Sequence, residues 1–203
     1  YTHHLVDELH KKLHKARLES TYNNGLYFVF TFYKEKNRYH LTFNLNASFA
    51  GCYLTNKPVS KAENTNFSSN LKRHLDGSIL ESVSQYLTDR VMIFTFTQYD
   101  FIQGPVTKKI VFEAMGKHAN LFILNSDDVI IDAYKKMFGI EGRHLIPQAK
   151  FEFFKTEKKS AHDYVFDPSL SPKEITDRYL GISLRLANYL HENPVSPFDI
   201  LVN

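Results

Sequence analysis

Asp89 and Arg90 stand side by side in "TDRVMIF", at the mouth of an apolar run, and "EAMGKHAN" sets Gly116, Lys117, His118 and Asn120 close together further on. A guanidinium or an ammonium can hold phosphate oxygens, and an amide or a carboxylate can read the edge of a base. Glycine permits the tight turn that would present them. Lys72-Arg73-His74 and Lys108-Lys109 are further basic groups. Each motif also has a plain structural reading. Neighbours on a strand face opposite sides, so Asp89 can close a turn while Arg90 sits in water, and "GKHAN" can be a hairpin tip with solvated ends. His10 and His14 share a helix face at a spacing that can hold a metal, but Lys11, Lys12 and Leu13 lie between them where a zinc-protease helix needs Glu. We expect solvated histidines beside lysines and no metal site. No G-x-S-x-G elbow is present, and the 22 acidic residues form no distinctive local pair. No catalytic residue, no cofactor and no enzymatic activity of the isolated chain are expected.

These residues must be positioned by a chain of 203 residues, long enough for one sizeable domain with an appendage or for two small domains. Twelve Tyr and seventeen Phe without Trp favour strands, because flat rings pack on a pleated face. The net charge of +3 permits a polyanionic partner without demanding one. Cys52 is the only cysteine, which excludes an internal disulfide and a thiolate metal cluster and suits a reducing compartment such as the cytoplasm. No apolar stretch is long enough to span a membrane, so no membrane partner is expected.

"THHLVDELHKKLHK" places Leu5, Leu9 and Leu13 on one helical stripe. A meander follows: "RLESTY", the turn "NNG", "LYFVFTFY", the loop "KEKN" and "RYHLTFNL", in which Tyr39, Leu41, Phe43 and Leu45 should face a core and the alternate residues water. In "NFSSNLKRHLDG", Asn66 can cap a helix that Gly77 ends, with Phe67, Leu71 and Leu75 on one face and Lys72, Arg73 and His74 on the other. The β pattern then resumes in "SILESVSQYL", "RVMIFTFTQY", "VTKKIVFEAM", "ANLFILN" and "VIIDAY". Two strand groups joined through a helix predict an α+β, β-rich fold, an antiparallel β-sandwich or flattened barrel over residues 1–150. Residues 151–170 read as a linker, and 171–203 as the start of a helical segment with Ser171, Pro172 and Glu174 at its entry and Leu180, Leu184, Ala187 and Leu190 on a common face. "LGISLRLA" resembles a helix-hairpin-helix turn, with Ser183 where a second Gly is expected; an ordinary helical pair is the alternative.

In order and spacing, "HHLVDEL", "LKRHLDGSILESV", "DRV", "VFEAMGKHANLFIL", "IIDAYK" and "GRHLIPQAKF" resemble the N-terminal domain of the NFACT family over Thr2 to Ala149. That family comprises ribosome quality-control factors and takes in streptococcal proteins named as fibronectin-binding. The resemblance implies a domain similar to the N-terminal domain of formamidopyrimidine-type DNA glycosylases, followed by a helix-hairpin-helix segment. It also implies a module that contacts tRNA and the large ribosomal subunit obstructed by peptidyl-tRNA, in support of mRNA-independent alanine tailing. The family's acidic-basic pair falls on Asp89 and Arg90. Lys117, His118, Asn120, Arg73 and Lys72 complete the expected tRNA-binding set, with Asp89 expected to have a donor within reach. The Pro-Glu start of the glycosylases is not found, and the family's coiled coil and C-terminal RNA-binding domain lie outside this sequence, so a fragment is expected. The alternative is a surface adhesin domain that binds fibronectin.

Overall fold

The computed structural model describes residues 2–62, 64–86, 88–140, 142–153 and 158–198. Helix α1 (Thr2–Leu13) precedes a meander of β1 (Arg17–Asn24), β2 (Tyr27–Lys34), β3 (Asn37–Asn44) and β4 (Gly51–Thr55). Helix α2 (Asn66–Leu75) leads to β5 (Ile79–Tyr86), β6 (Thr88–Asp100), β7 (Gly104–Glu113), β8 (Asn120–Leu124) and β9 (Ile130–Ala133). The expected stacked sheets are two halves of one antiparallel sheet in the order β4-β3-β2-β1-β5-β6-β7-β8-β9. The halves are joined through a narrow seam, where Arg17 of β1 pairs with Ile79 of β5 and Leu18 N–H donates to the Ser78 carbonyl at 2.8 Å. Beyond the seam the sheet doubles over, so that Phe43 on β3 meets Phe94 on β6 and Phe112 on β7, each with ring centroids 5.2 Å apart. This aromatic contact between the halves is the centre of the core, since each ring removes a large apolar area from water.

The two first helices close what the sheet leaves open. Leu9 and Leu13 of α1 are buried against β5 and β6 as the stripe predicts. His10 is not simply solvated: its Nδ1 accepts the Val83 N–H of β5 at 3.1 Å, beyond the seam where β1 no longer pairs with that strand. The His10 and His14 rings stack at 4.9 Å. Helix α2 buries Phe67, Leu71 and Leu75, and Phe67 packs on Phe28 and Tyr134. Its cap is Thr65, one residue earlier than the expected Asn66, in a reciprocal box with Ser68. In β3 the core-facing set holds, but Thr42 and Asn44 on the other face are also buried; Asn44 braces the loop that follows by accepting the Asn46 N–H at 2.9 Å.

A hairpin of β10 (Met137–Ile140) and β11 (Arg143–Leu145) lies where no element was expected. Phe151 packs with Val91, Val111 and Phe122 on the outer face of β6–β8. Phe151, at the start of the expected linker, is therefore packed, while residues 154–157 of that stretch lie outside the described residues. Strand β12 (Lys159–Ser160) pairs in parallel with β13 (Tyr179–Leu180), and Tyr164 joins Ile175, Ala187 and Leu190 in a core shared by α3 (Pro172–Arg178) and α4 (Leu184–Glu192). Ser171 and Glu174 form the expected capping box of α3. Ala187 and Leu190 face this core as expected, but Leu184 is exposed. Ser183 is the N-cap of α4, accepting the Leu186 N–H at 3.2 Å, which gives a serine a reason to stand where the hairpin motif expects glycine.

Candidate nucleic-acid interface

Antiparallel neighbours put the start of one strand beside the end of the next, and this brings the two sequence motifs together. At the head of β6, Val91 pairs with Glu113 of β7, and the Arg90 carbonyl accepts the Ala114 N–H at 2.7 Å. The chain then turns through Gly116, whose φ of +56° lies in the left-handed region that favours glycine, into one 3₁₀ turn over Gly116–His118. Ala119 is buried beneath that turn, while Arg90 and Lys117 are exposed and His118 is half-buried. Asp89 lies on β6, but its side chain, and with it the expected donor, falls outside the described residues.

Arg90 and Gly116 line a common pocket of about 470 Å³. Its far wall is the β3–β4 loop, Ala47 to Gly51, which no sequence argument singled out. That loop is held by its own amides: Ser48 N–H donates to Asn46 Oδ1 at 3.0 Å, and Asn44 Nδ2 donates to the Phe49 carbonyl at 3.2 Å. The Asn-x-Asn spacing was the available signal, because such residues bond their own backbone two positions on. The result is an aromatic edge, with Phe49 78% and Tyr53 44% exposed. Cys52, Met92 and Phe112 form the floor. Burial pushes the Cys52 thiol well above its ordinary pKa, so this wall carries no thiolate. A guanidinium at the rim and two open rings beside it can receive a phosphate and an unstacked base.

The turn is braced from behind. Arg143 of β11 makes a two-pronged ion pair with Glu113, Nη1 to Oε2 at 2.9 Å and Nη2 to Oε1 at 3.1 Å, and Nη1 also donates to the Glu152 carbonyl at 3.0 Å. The pair is nearly dry, with the Arg143 side chain 7% and Glu113 1% exposed. It fixes the end of β7, from which the "GKH" turn departs. Asn120 belongs to this brace and not to the surface. It is fully buried, its Oδ1 accepts the Leu121 and Lys135 N–H groups, and its Nδ2 donates to the Lys135 carbonyl at 2.8 Å. Its amide is spent on the protein's own backbone, which corrects the expectation that it offers donors to RNA.

Lys72 and Arg73 lie elsewhere. Their helix meets Lys108 of β7, which pairs with Phe96 on β6, six residues along from Arg90 and therefore roughly 20 Å away on a strand. The described side chains thus separate into an Arg90-Lys117-His118 group at one end of β6–β7 and a Lys72-Arg73 group near the other. Among the described residues no group of three His, Cys, Asp or Glu could hold a metal ion, and no helix is long and apolar enough to cross a membrane.

Fold and pocket together define an α+β domain whose candidate site is an open, arginine-edged cleft walled by a loop with exposed aromatics. The chain belongs to the family of NFACT N-terminal and middle domains, whose pattern matches residues 1–189. It is 23% identical to the Rqc2 homolog RqcH of Streptococcus suis, over 98% of this chain and 39% of that protein. It is 24% identical to the Rqc2 homolog RqcH of Bacillus subtilis, over 90% of this chain and 35% of the relative. The chain thus spans well under half the length of these relatives. Among solved structures, the N-terminal domain of the fibronectin-binding protein PavA from Streptococcus pneumoniae superposes with a TM-score of 0.83 at 21% identity, covering 94% of this chain and 76% of that one. The fibrinogen-binding protein from Staphylococcus aureus superposes at 0.84 with 20% identity, covering 99% and 79%. At these identities the structural likeness establishes the fold alone.

Proposed function

We propose that this chain is the tRNA- and large-ribosomal-subunit-binding module of a cytoplasmic ribosome quality-control factor, one that supports mRNA-independent alanine tailing of stalled nascent chains. In this reading the sheet is the counterpart of the glycosylase N-terminal domain and the α3–α4 pair that of a helix-hairpin-helix. Both are used to hold RNA; peptide transfer would belong to the ribosome, and the domain contributes positioning rather than acid-base chemistry. The observation that carries the reading is the pocket shared by Arg90 and Gly116 with Phe49 and Tyr53 on its edge. An RNA loop offers unstacked bases and phosphates together, and a duplex does not. Arg90 and Lys117 would hold phosphates, with Asp89 orienting the guanidinium or accepting from a base amino group.

A filter-binding titration with tRNA tests this. The unmodified chain should bind with an affinity that falls steeply between about 50 and 200 mM salt, as contacts to roughly four to six phosphates require. Asp89→Ala and Arg90→Ala should each bind more weakly. Equal binding by both variants across the salt range would refute the site.

A second reading, adhesion to fibronectin, is favoured by the likeness to the fibronectin-binding protein PavA and by β4, which among the described residues is an edge strand paired only with β3 and could accept an extended peptide. That interaction should depend weakly on salt and be indifferent to Arg90.

A further inference from the structure

Further along β6–β7, away from the Arg90 pocket, three basic side chains are crowded together. Lys108 Nζ lies 3.1 Å from His74 Nδ1 and donates to the His74 carbonyl at 3.4 Å. Arg73 Nη2 lies 3.4 Å from His74 Nε2. Lys72, on the same helix, is turned to other neighbours, Asn64 Oδ1 at 3.1 Å, Lys61 and Asp76, and stands apart from the three. A neutral imidazole has one acceptor nitrogen, so whichever tautomer His74 adopts, one of its two cationic neighbours faces an N–H instead of a lone pair. Among the described residues none of these three takes part in an ion pair. The nearby carboxylates have other work: Asp132 binds Asn70 and Lys136, Asp76 accepts from Thr21, and Asp100 accepts the Ile102 and Gln103 amides of its own turn.

Asp132 and Asp100 only partly offset these charges, and a phosphate group spanning Arg73, His74 and Lys108 would accept from them through separate oxygens. We propose that this α2–β7 cluster of Arg73, His74 and Lys108 is a second phosphate-binding site, which grips the backbone of a double-helical RNA stem along the sheet from the Arg90 pocket. The inference rests on the reading of the chain as RNA-binding, but it assigns a different surface and a different part of the RNA. Arg73, His74 and Lys108 offer only N–H and ammonium donors, the groups that contact phosphate and sugar, so the cluster suits a sugar-phosphate backbone. His74 makes the site sensitive to pH. Burial, then Lys108 and Arg73, hold its pKa below the ordinary value, with Asp132 opposing weakly. An anion bound beside it would raise that pKa again, so binding takes up a proton and strengthens as pH falls.

The test uses the 203-residue chain and a short blunt-ended RNA duplex that has no loop. The duplex should bind at low salt. Arg73→Gln and Lys108→Gln should each weaken it roughly fivefold to tenfold and lower the salt slope by about one. Arg90→Gln should leave duplex binding unchanged while weakening tRNA. The gain in duplex affinity between about pH 8 and 6 should shrink in His74→Gln. Arg73 is exposed and reports even if Lys108→Gln disturbs folding, which melting curves would reveal. The proposal is overturned if the duplex does not bind, or if neither cluster variant changes its affinity or salt slope. It is equally overturned if Arg90→Gln removes duplex binding, or if the cluster variants lose binding only to phosphatidylserine vesicles, a surface that exposed Phe101 and Ile102 at the nearby hairpin tip would favour. Loss of the Arg90 effect on tRNA with the duplex results intact would refute the pocket and leave this site standing.

Discussion

Glu113 and Arg143 decide more about the candidate site than any residue that lines it, because their buried, two-pronged pair sets where β7 ends and the "GKH" turn begins. Removing one partner strands a charge in the core, so Glu113→Ala or Arg143→Ala should each cost about 3–5 kcal/mol in urea unfolding. A joint Glu113→Leu, Arg143→Met replacement should cost less than either single change. His74 supplies a pH dependence. Its folded-state pKa is depressed, so the unfolded chain binds the proton more readily; the contribution is present above about pH 6.5 and is lost as pH falls through the folded value. The melting temperature should therefore drop more between about pH 7 and 5 in the natural chain than in His74→Gln. Residue types were legible in the sequence, but their uses only in part. Arg90 and Lys117 reach the surface as expected. Asn120 does not, since its role depends on Lys135, a partner that local spacing could not reveal.

At the scale of elements, periodicity located α1, α2 and the strands β5 to β9 to within a residue or two, because alternation and helical stripes report directly on which face is buried. What escaped were features fixed by bonds between distant segments. The β10–β11 hairpin is short and owes its place to Arg143 and to Leu145 in the outer cluster, and the β3–β4 loop owes its shape to Asn44 and Asn46. The cap of α2 slipped by one position, since Thr65 and Asn66 are both acceptable cap residues and only geometry chooses. Thr65→Ala should accordingly lower stability by about 1 kcal/mol while Asn66→Ala changes little, measured by thermal unfolding. Ser183→Ala should cost a similar amount, about 1 kcal/mol, read as faster amide exchange in α4.

Across the whole molecule, the sequence pointed to strands in two groups joined through a helix. The seam that makes them one doubled sheet is too short to leave a pattern of its own. That doubling places the β3–β4 loop against the heads of β6 and β7, and so builds one pocket from stretches of chain far apart in sequence. The central claim is that Arg90 and Phe49 act on the same bound RNA, and a double-mutant cycle on tRNA affinity addresses it most directly. Arg90→Ala and Phe49→Ala should each weaken binding, and together by less than the sum, with a coupling energy of roughly 0.5 kcal/mol or more. Strictly additive losses, or full affinity in the double variant, would contradict a shared cleft.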